Sequence, residues 1–288
     1  MDVAPARALV RPPIVDGLFY PGDRSTLRET VERLLGDSSA ATGDCFGVVC
    51  PHAGYACAGA VLAAGWKAVA RREARTVVLL GPVHRDDGPG GPFFLPESRW
   101  FATPVGDLPV DGAAVEALVR SSPRFRVDDI PHLEEHCLEV QLPFLHRLFP
   151  GVPIVPVLVA DRGRAAAATL AECLALTFRD SWDYTVVVAS ANMTSYLRGT
   201  DAEAEYRAIA RLVADRDWRG IGDADARRAI STCGPSAIAA LLSLAGEGSR
   251  VDLLAEGDSR GADAEPDKLV RYAAVGVWRG TGGGLLAD

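Results

Sequence analysis

Short apolar runs rich in β-branched residues alternate along the chain with longer stretches whose apolar positions recur at helical spacing. That alternation is the pattern of an α/β fold. Strands are predicted at Phe46–Cys50, Thr76–Leu80, Pro153–Val159 and Tyr184–Ala189, with weaker ones at Arg250–Leu254 and Tyr272–Val277. Helices are predicted over Ala58–Arg72, Asp111–Ser121, Leu138–Phe149, Arg164–Arg179, Asp201–Asp215, Asp223–Ile230 and Pro235–Ala245. In the third of these, Leu138, Leu142, Leu145 and Phe149 fall on one face. Two irregular segments interrupt the alternation. Arg85–Gly106 contains Gly-Pro-Gly-Gly-Pro followed by aromatic residues, and Gly257–Asp267 is polar. A loop as long as the first, inside a compact domain, is usually functional or disordered. The glycine-rich tail, 280–288, is predicted to be mobile. Neither loop has the composition of a linker and no repeat is present, so residues 1–288 are predicted to form a single α/β domain.

Composition narrows the class. An apolar fraction of 48% in 288 residues supports a packed core, and a formal charge of −8 argues against a general nucleic-acid or anionic-membrane binder. All but Lys67 and Lys268 of the 30 basic residues are arginine, which reads as the codon bias of a GC-rich genome and carries no mechanistic weight. Met1–Pro13 has no apolar stretch of signal-peptide kind, and Val152–Ala160 is far shorter than the roughly 18 residues that span a bilayer. A soluble, cytoplasmic protein is expected. There Cys45, Cys50, Cys57, Cys137, Cys173 and Cys233 need not pair, and none lies in a C-x-x-C.

Ligands of open α/β sheets bind beyond the carboxyl ends of the strands. Pro51-His52-Ala53-Gly54-Tyr55 follows the first predicted strand, Gly81-Pro82-Val83-His84 the second, and Ser190-Ala191-Asn192-Met193-Thr194-Ser195 the fourth. Each histidine alone reads equally as a hydrogen-bonded loop residue. Two at equivalent strand ends, flanked by Pro or Gly, bring in the reading of a metal-ligand pair. Glu134-Glu135-His136-Cys137-Leu138-Glu139 reads either as helix-start chemistry or as a proton-transferring His136 oriented by a carboxylate. Cys233 lies directly before a predicted helix, a setting found for reactive or metal-binding thiolates, although a buried inert thiol is the commoner case. His132 and His146 have no such setting and read as structural or exposed. No P-loop, G-x-G-x-x-G or G-x-S-x-G is present, so no nucleotide cofactor is expected and a serine hydrolase loses its usual support.

Several segments, in order, resemble those of the Memo family, whose bacterial and archaeal members are called AmmeMemoRadiSam system protein B. They are Arg11-Pro12, Gly17-Leu18-Phe19-Tyr20-Pro21, Pro51-His52-Ala53-Gly54-Tyr55, Leu80-Gly81-Pro82-Val83-His84, Thr103-Pro104-Val105-Gly106, Glu135-His136-Cys137-Leu138-Glu139-Val140-Gln141-Leu142-Pro143-Phe144 and Cys233-Gly234. The resemblance implies a central mixed sheet flanked by helices, similar to the class III extradiol (LigB-type) non-haem iron dioxygenases. It implies one mononuclear iron or copper site on His52, His84 and Cys233, with Glu135 and His136 lining the pocket as catalytic residues. Positions would stay open there for oxygen or a small-molecule substrate. The chain departs from the pattern after the fourth strand, where the family usually reads Ser-Asp-x-x-His and this chain has Asn192 and Ser195. Amide and hydroxyl do not shuttle protons near neutral pH, which leaves His136 as the imidazole for that task.

Three functions follow. The first is a metal-dependent oxidoreductase acting on a small molecule with O2, in which Tyr55, Asn192 and Ser195 shape the substrate pocket. The second is a non-catalytic metal-binding or adaptor protein on the same fold. The third is a thiol-dependent hydrolase or transferase using Cys233, for which the sequence offers no clear cysteine–histidine pairing.

Overall fold

A computed structural model of the chain describes residues 9–38, 44–84, 90–246, 248–260 and 268–280. The apolar runs are apolar on both faces: Val77 and Leu79 pack to one side of the sheet, Val78 and Leu80 to the other, and all four are fully buried. Such strands must be covered on both sides, which gives three layers. Strands β1 (Cys45–Cys50), β2 (Thr76–Pro82), β3 (Phe93–Leu95), β4 (Phe125–Val127), β5 (Ile154–Val159), β6 (Thr185–Ser190), β7 (Arg250–Asp258) and β8 (Arg271–Trp278) form one eight-stranded sheet. Its order is β7-β8-β1-β6-β2-β5-β3-β4. The four central strands β1, β6, β2 and β5 are parallel; β8 and β3 flank them antiparallel.

Helices α1 (Arg24–Asp37) and α2 (Tyr55–Val69) cover one face. On the other lie α3 (Gly112–Ser121) and the helices Arg164–Thr177, Gly199–Ala214, Trp218–Ala226 and Pro235–Ala245. The α/β class and mixed sheet are those the sequence predicts, and all six predicted strands are present. No helix among the described residues is long and apolar enough to cross a membrane.

Several boundaries differ for identifiable reasons. The predicted helix Leu138–Phe149 is a 3-10 turn, Glu139–Gln141, followed by a short helix, Leu142–Leu148, because Pro143 lacks an N–H and fits only the first turn of a helix. The helix predicted at Asp223–Ile230 runs instead over Trp218–Ala226: Asp217 caps its start through Gly220 N–H, and Arg228, at a φ of 52°, ends it. Helix α1 is not among the helices predicted from the sequence, although Asp23 caps it through Thr26 N–H and Leu27, Val31, Leu34 and Leu35 give it a buried stripe. Strand β3 lies within Arg85–Gly106, read from sequence as a loop. Residues 85–89 of that segment, 261–267 of the second loop and 281–288 of the tail lie outside the described residues.

The amino-terminal segment is tied down by a buried ion pair. Arg11, 1% exposed, pairs with Glu139 and donates to the carbonyls of His132 (2.9 Å) and Glu135 (2.8 Å). Glu139 also accepts from the N–H groups of Ile14 and Val15 and from the Tyr20 hydroxyl at 2.6 Å. A buried charge is tolerated only when its partners are this complete. The network holds the Glu135–Gln141 run, which carries Glu135, His136 and Gln141 of the site described next.

Candidate metal centre

The order of the sheet brings the predicted strand ends together. β6 lies between β1 and β2, with Cys50 opposite Ser190 and Leu80 opposite Ala189, so the chain leaves the three strands at one edge toward His52, Asn192 and His84. Cys233 arrives from the loop before the helix Pro235–Ala245. A two-hydrogen-bond bridge between the backbones of Asn192 and Cys233 (3.1 and 3.0 Å) fixes it there. The side-chain oxygen of Asn192 accepts the His52 N–H at 3.0 Å, so this one residue holds the backbones of both. The turn needs Gly234: its φ is 90°, and a Cβ would come within 2.9 Å of Ser190 O.

The donor atoms of His52, His84 and Cys233 all lie within 4.8 Å of one another. Cys233 Sγ is 3.0 Å from His84 Nε2, and the rings of His52 and His84 stand perpendicular with centroids 5.1 Å apart. Their environments differ. His52 is 1% exposed, whereas the His84 side chain is 37% exposed at the mouth of the site.

A chain of neutral hydrogen bonds sets the tautomer of His52. The Trp66 indole N–H donates to Gln141 Oε1 (2.9 Å), which turns the amide nitrogen toward Pro51 O (2.9 Å) and Ser190 Oγ (3.0 Å). Ser190 gives its single hydroxyl hydrogen to Cys137 O at 2.7 Å. Its oxygen is therefore an acceptor toward its other neighbours, and His52 Nδ1, 3.3 Å away, is the nitrogen that carries hydrogen. Nε2 keeps its lone pair, buried with no hydrogen-bond partner. Burial, reinforced by His84 and His136, holds the His52 pKa well below the usual imidazole range, so the ring is neutral.

A carboxylate does the same for His84. Glu135 Oε1 lies 2.8 Å from His84 Nδ1, and Oε2 accepts the His84 N–H at 2.9 Å. Burial alone would disfavour the imidazolium of His84, but Cys233 and Glu135 outweigh it and raise the pKa to about 10. Burial likewise disfavours the Glu135 carboxylate, yet its bonds from His84 lower its pKa to about 2. His136 stacks on His84 (4.8 Å between centroids, 18° between planes), with Nδ1 3.3 Å from Glu135 Oε1 and Phe19 edge-on at 5.0 Å. Its pKa is lowered by burial.

The three residues expected to shape a substrate pocket are placed differently. Ser195 lines a cleft of about 250 Å³ that opens beside His84 and Cys233, with Arg162, Asp225 and Thr232 on its walls. Ser195 donates its hydroxyl to Ser231 O at 2.6 Å. Asn192 engages His52 as described. Tyr55 is buried, with its hydroxyl donated to Val140 O (2.8 Å) and its ring against Tyr20 and Phe144. Ser190, Gln141 and Trp66 had no assigned role in the sequence reading. The available signal was a serine ending an apolar strand and a glutamine inside Leu138-Glu139-Val140-Gln141-Leu142.

The donors present fit a metal ion. Two imidazole nitrogens and a sulfur converge, each histidine is fixed through Nδ1 by a hydrogen-bonding partner, and the buried lone pair of His52 has nothing else to meet. The metal-free arrangement is also a Cys233–His84–Glu135 relay of the kind that activates a thiol, a pairing the sequence did not reveal. That relay makes no use of His52. It leaves a buried acceptor unsatisfied at a cost of about 1–3 kcal/mol, which an ion would remove.

The chain is 35% identical over 253 residues to a MEMO1 family protein of Thermotoga neapolitana, covering 82% of this chain and 88% of the relative. It is 32% identical over 269 residues to one of Methanosarcina acetivorans, covering 92% and 98%. It is 29% identical to one of Thermoplasma volcanium, covering 93% and 98%. Residues 11–276 match the Memo-like protein family, and with relatives aligned along nearly their whole length the chain belongs to that family.

Proposed function

We propose that this protein is a metal-dependent oxidoreductase that holds iron or copper on His52, His84 and Cys233 and oxidises a small molecule with dioxygen. The observation that carries the reading is the buried, unpartnered Nε2 of His52, on a ring whose neighbours within 4.8 Å include a second imidazole and a sulfur. Thiolate and imidazole donors favour copper or iron over magnesium or calcium. Such an ion, when bound, supplies one-electron chemistry that side chains lack.

The chain's own residues then have separable tasks. Ser190 and Glu135 orient the two histidines. Asn192 sets the spacing between His52 and Cys233. His136 is the imidazole positioned to hold or move a proton at a ring nitrogen, with Glu135 as its orienting partner. The cleft bearing Ser195 is where the small molecule would sit, and Tyr55 braces the Val140 backbone behind the site.

A second reading rests on the 3.0 Å contact between Cys233 and His84, which suits a thiol nucleophile. Metal content and oxygen uptake of the purified protein separate the readings. Iron or copper in the parent chain, lost in His52→Ala together with oxygen consumption, is expected. Activity that iodoacetamide abolishes in a chain binding no metal would establish the thiol reading. Bound metal without oxygen uptake, across a panel of phenols, thiols and amines, would point to the adaptor reading.

A further inference from the structure

Thr103-Pro104-Val105-Gly106 and His146 take no part in the centre. Val105 of this turn and His146 join α1 and the short helix Leu142–Leu148 around an open cavity of about 300 Å³, lined by Arg28, Val31, Glu32, Val105, Pro143 and His146, with Arg147 at its side. None of these residues lines the cleft beside Cys233.

The turn and the histidine are matched in shape. Thr103 Oγ1 donates to Gly106 O at 2.6 Å, and Gly106 N–H donates to Thr103 O at 3.1 Å, which closes the turn. Gly106 has a φ of 148°, and a Cβ there would overlap His146 Nε2. The ring thus lies against a bare α-carbon, and no other residue type leaves room for it.

The charges around the cavity are unbalanced. Glu32, the one acid in its lining, is already paired with Arg147. Arg24 donates to Val105 O at 3.3 Å, and Arg28 makes no hydrogen bond or ion pair among the described residues. Burial, then Arg28 and Arg24, lower the proton affinity of His146, and Asp107 offsets only part of this. The Arg28 guanidinium is therefore left without a counter-charge beside a space with no unpaired carboxylate in its wall, while Val31, Val105 and Pro143 give it an apolar floor. A site of mixed apolar wall and uncompensated positive potential attracts an anion with an apolar body. One unpaired guanidinium and one imidazole match a monoanion such as a planar carboxylate, which guanidinium binds in fork geometry.

We propose that this cavity is a binding site for a small carboxylic acid with an apolar body, its carboxylate on Arg28 and His146 and its body against Val31, Val105 and Pro143. Benzoate is the probe. Titrated into the metal-free protein and followed by two-dimensional NMR at constant ionic strength, it should give saturable shifts centred on Val31, Val105 and His146. Arg28→Gln, at an exposed position that leaves the fold intact, should weaken binding by about tenfold. Benzyl alcohol, which keeps the ring and lacks the charge, should bind at least about tenfold more weakly. Gly106→Ala, which displaces the imidazole, should also weaken it. The proposal is overturned if the shifts do not saturate, if sulfate at equal ionic strength reproduces them, if Arg28→Gln binds as the parent does, or if the shifts centre instead on the residues around His52 and His84.

Discussion

His52 and His84 flank the same sulfur from contrasting surroundings. His52 is enclosed, and the group that fixes its Nδ1 is a neutral serine, itself held by Gln141 and Trp66. His84 stands at the mouth, and the group that fixes its Nδ1 is the carboxylate of Glu135. A carboxylate beside the buried ring would be costly and would favour its imidazolium, in which no lone pair is available to an ion. A serine sets the tautomer without adding charge. At the rim, water is available, and a carboxylate can strengthen the donor while the proton it attracts still has a way out.

Removing a donor from either half is the harshest test of this contrast. His52→Ala and Cys233→Ala should each weaken copper or iron binding by more than roughly a hundredfold in chelator competition. Retention of parent affinity by either variant would break the account. Ser190→Ala should have the next largest effect, roughly 10–100-fold in affinity, because His52 loses the acceptor that decides which nitrogen is free. Its specific signature is spectroscopic: ¹⁵N spectra of the metal-free parent should show His52 protonated on Nδ1, and the variant a mixture of tautomers. A parent protonated on Nε2 would contradict the hydrogen-bond assignment.

Glu135→Gln should cost less, about tenfold, since water can replace part of the lost interaction at the rim. The smallest effect is the pH response. His84 in the metal-free protein has a pKa raised to about 10, so metal capture near neutral pH must displace a proton. Affinity should therefore fall as pH drops from about 8 to about 6, and the slope should flatten in Glu135→Gln. Equal slopes in the two proteins would show that Glu135 does not control the proton on His84.

These two halves are unequally legible in the sequence. The central strands were legible because their β-branched runs end in proline and glycine, and the rule that sites form beyond strand ends then picked out His52 and His84. Cys233 was legible from its place before Gly234-Pro235. Helix α1 carried a readable stripe of Leu27, Val31, Leu34 and Leu35 that its many charged residues obscured. Strands of three residues such as β3 give too short a pattern to register. The contact between Cys233 and His84 joins residues 149 apart in the chain, and the one linking Ser190 to His52 depends on which buried polar group meets which ring nitrogen. Those are consequences of sheet order, with β6 lying between β1 and β2, and local periodicity does not encode it.

His52, His84 and Cys233 are proposed to hold one ion together. The most direct test is anaerobic titration of the reduced, metal-free protein with copper(I) or iron(II) against a competing chelator, run in parallel on the parent and on His52→Ala. A single tight equivalent in the parent and its loss in the variant are expected. No tight binding in the parent, or undiminished binding in His52→Ala, would contradict the proposal and leave Cys233, His84 and Glu135 as a thiol relay.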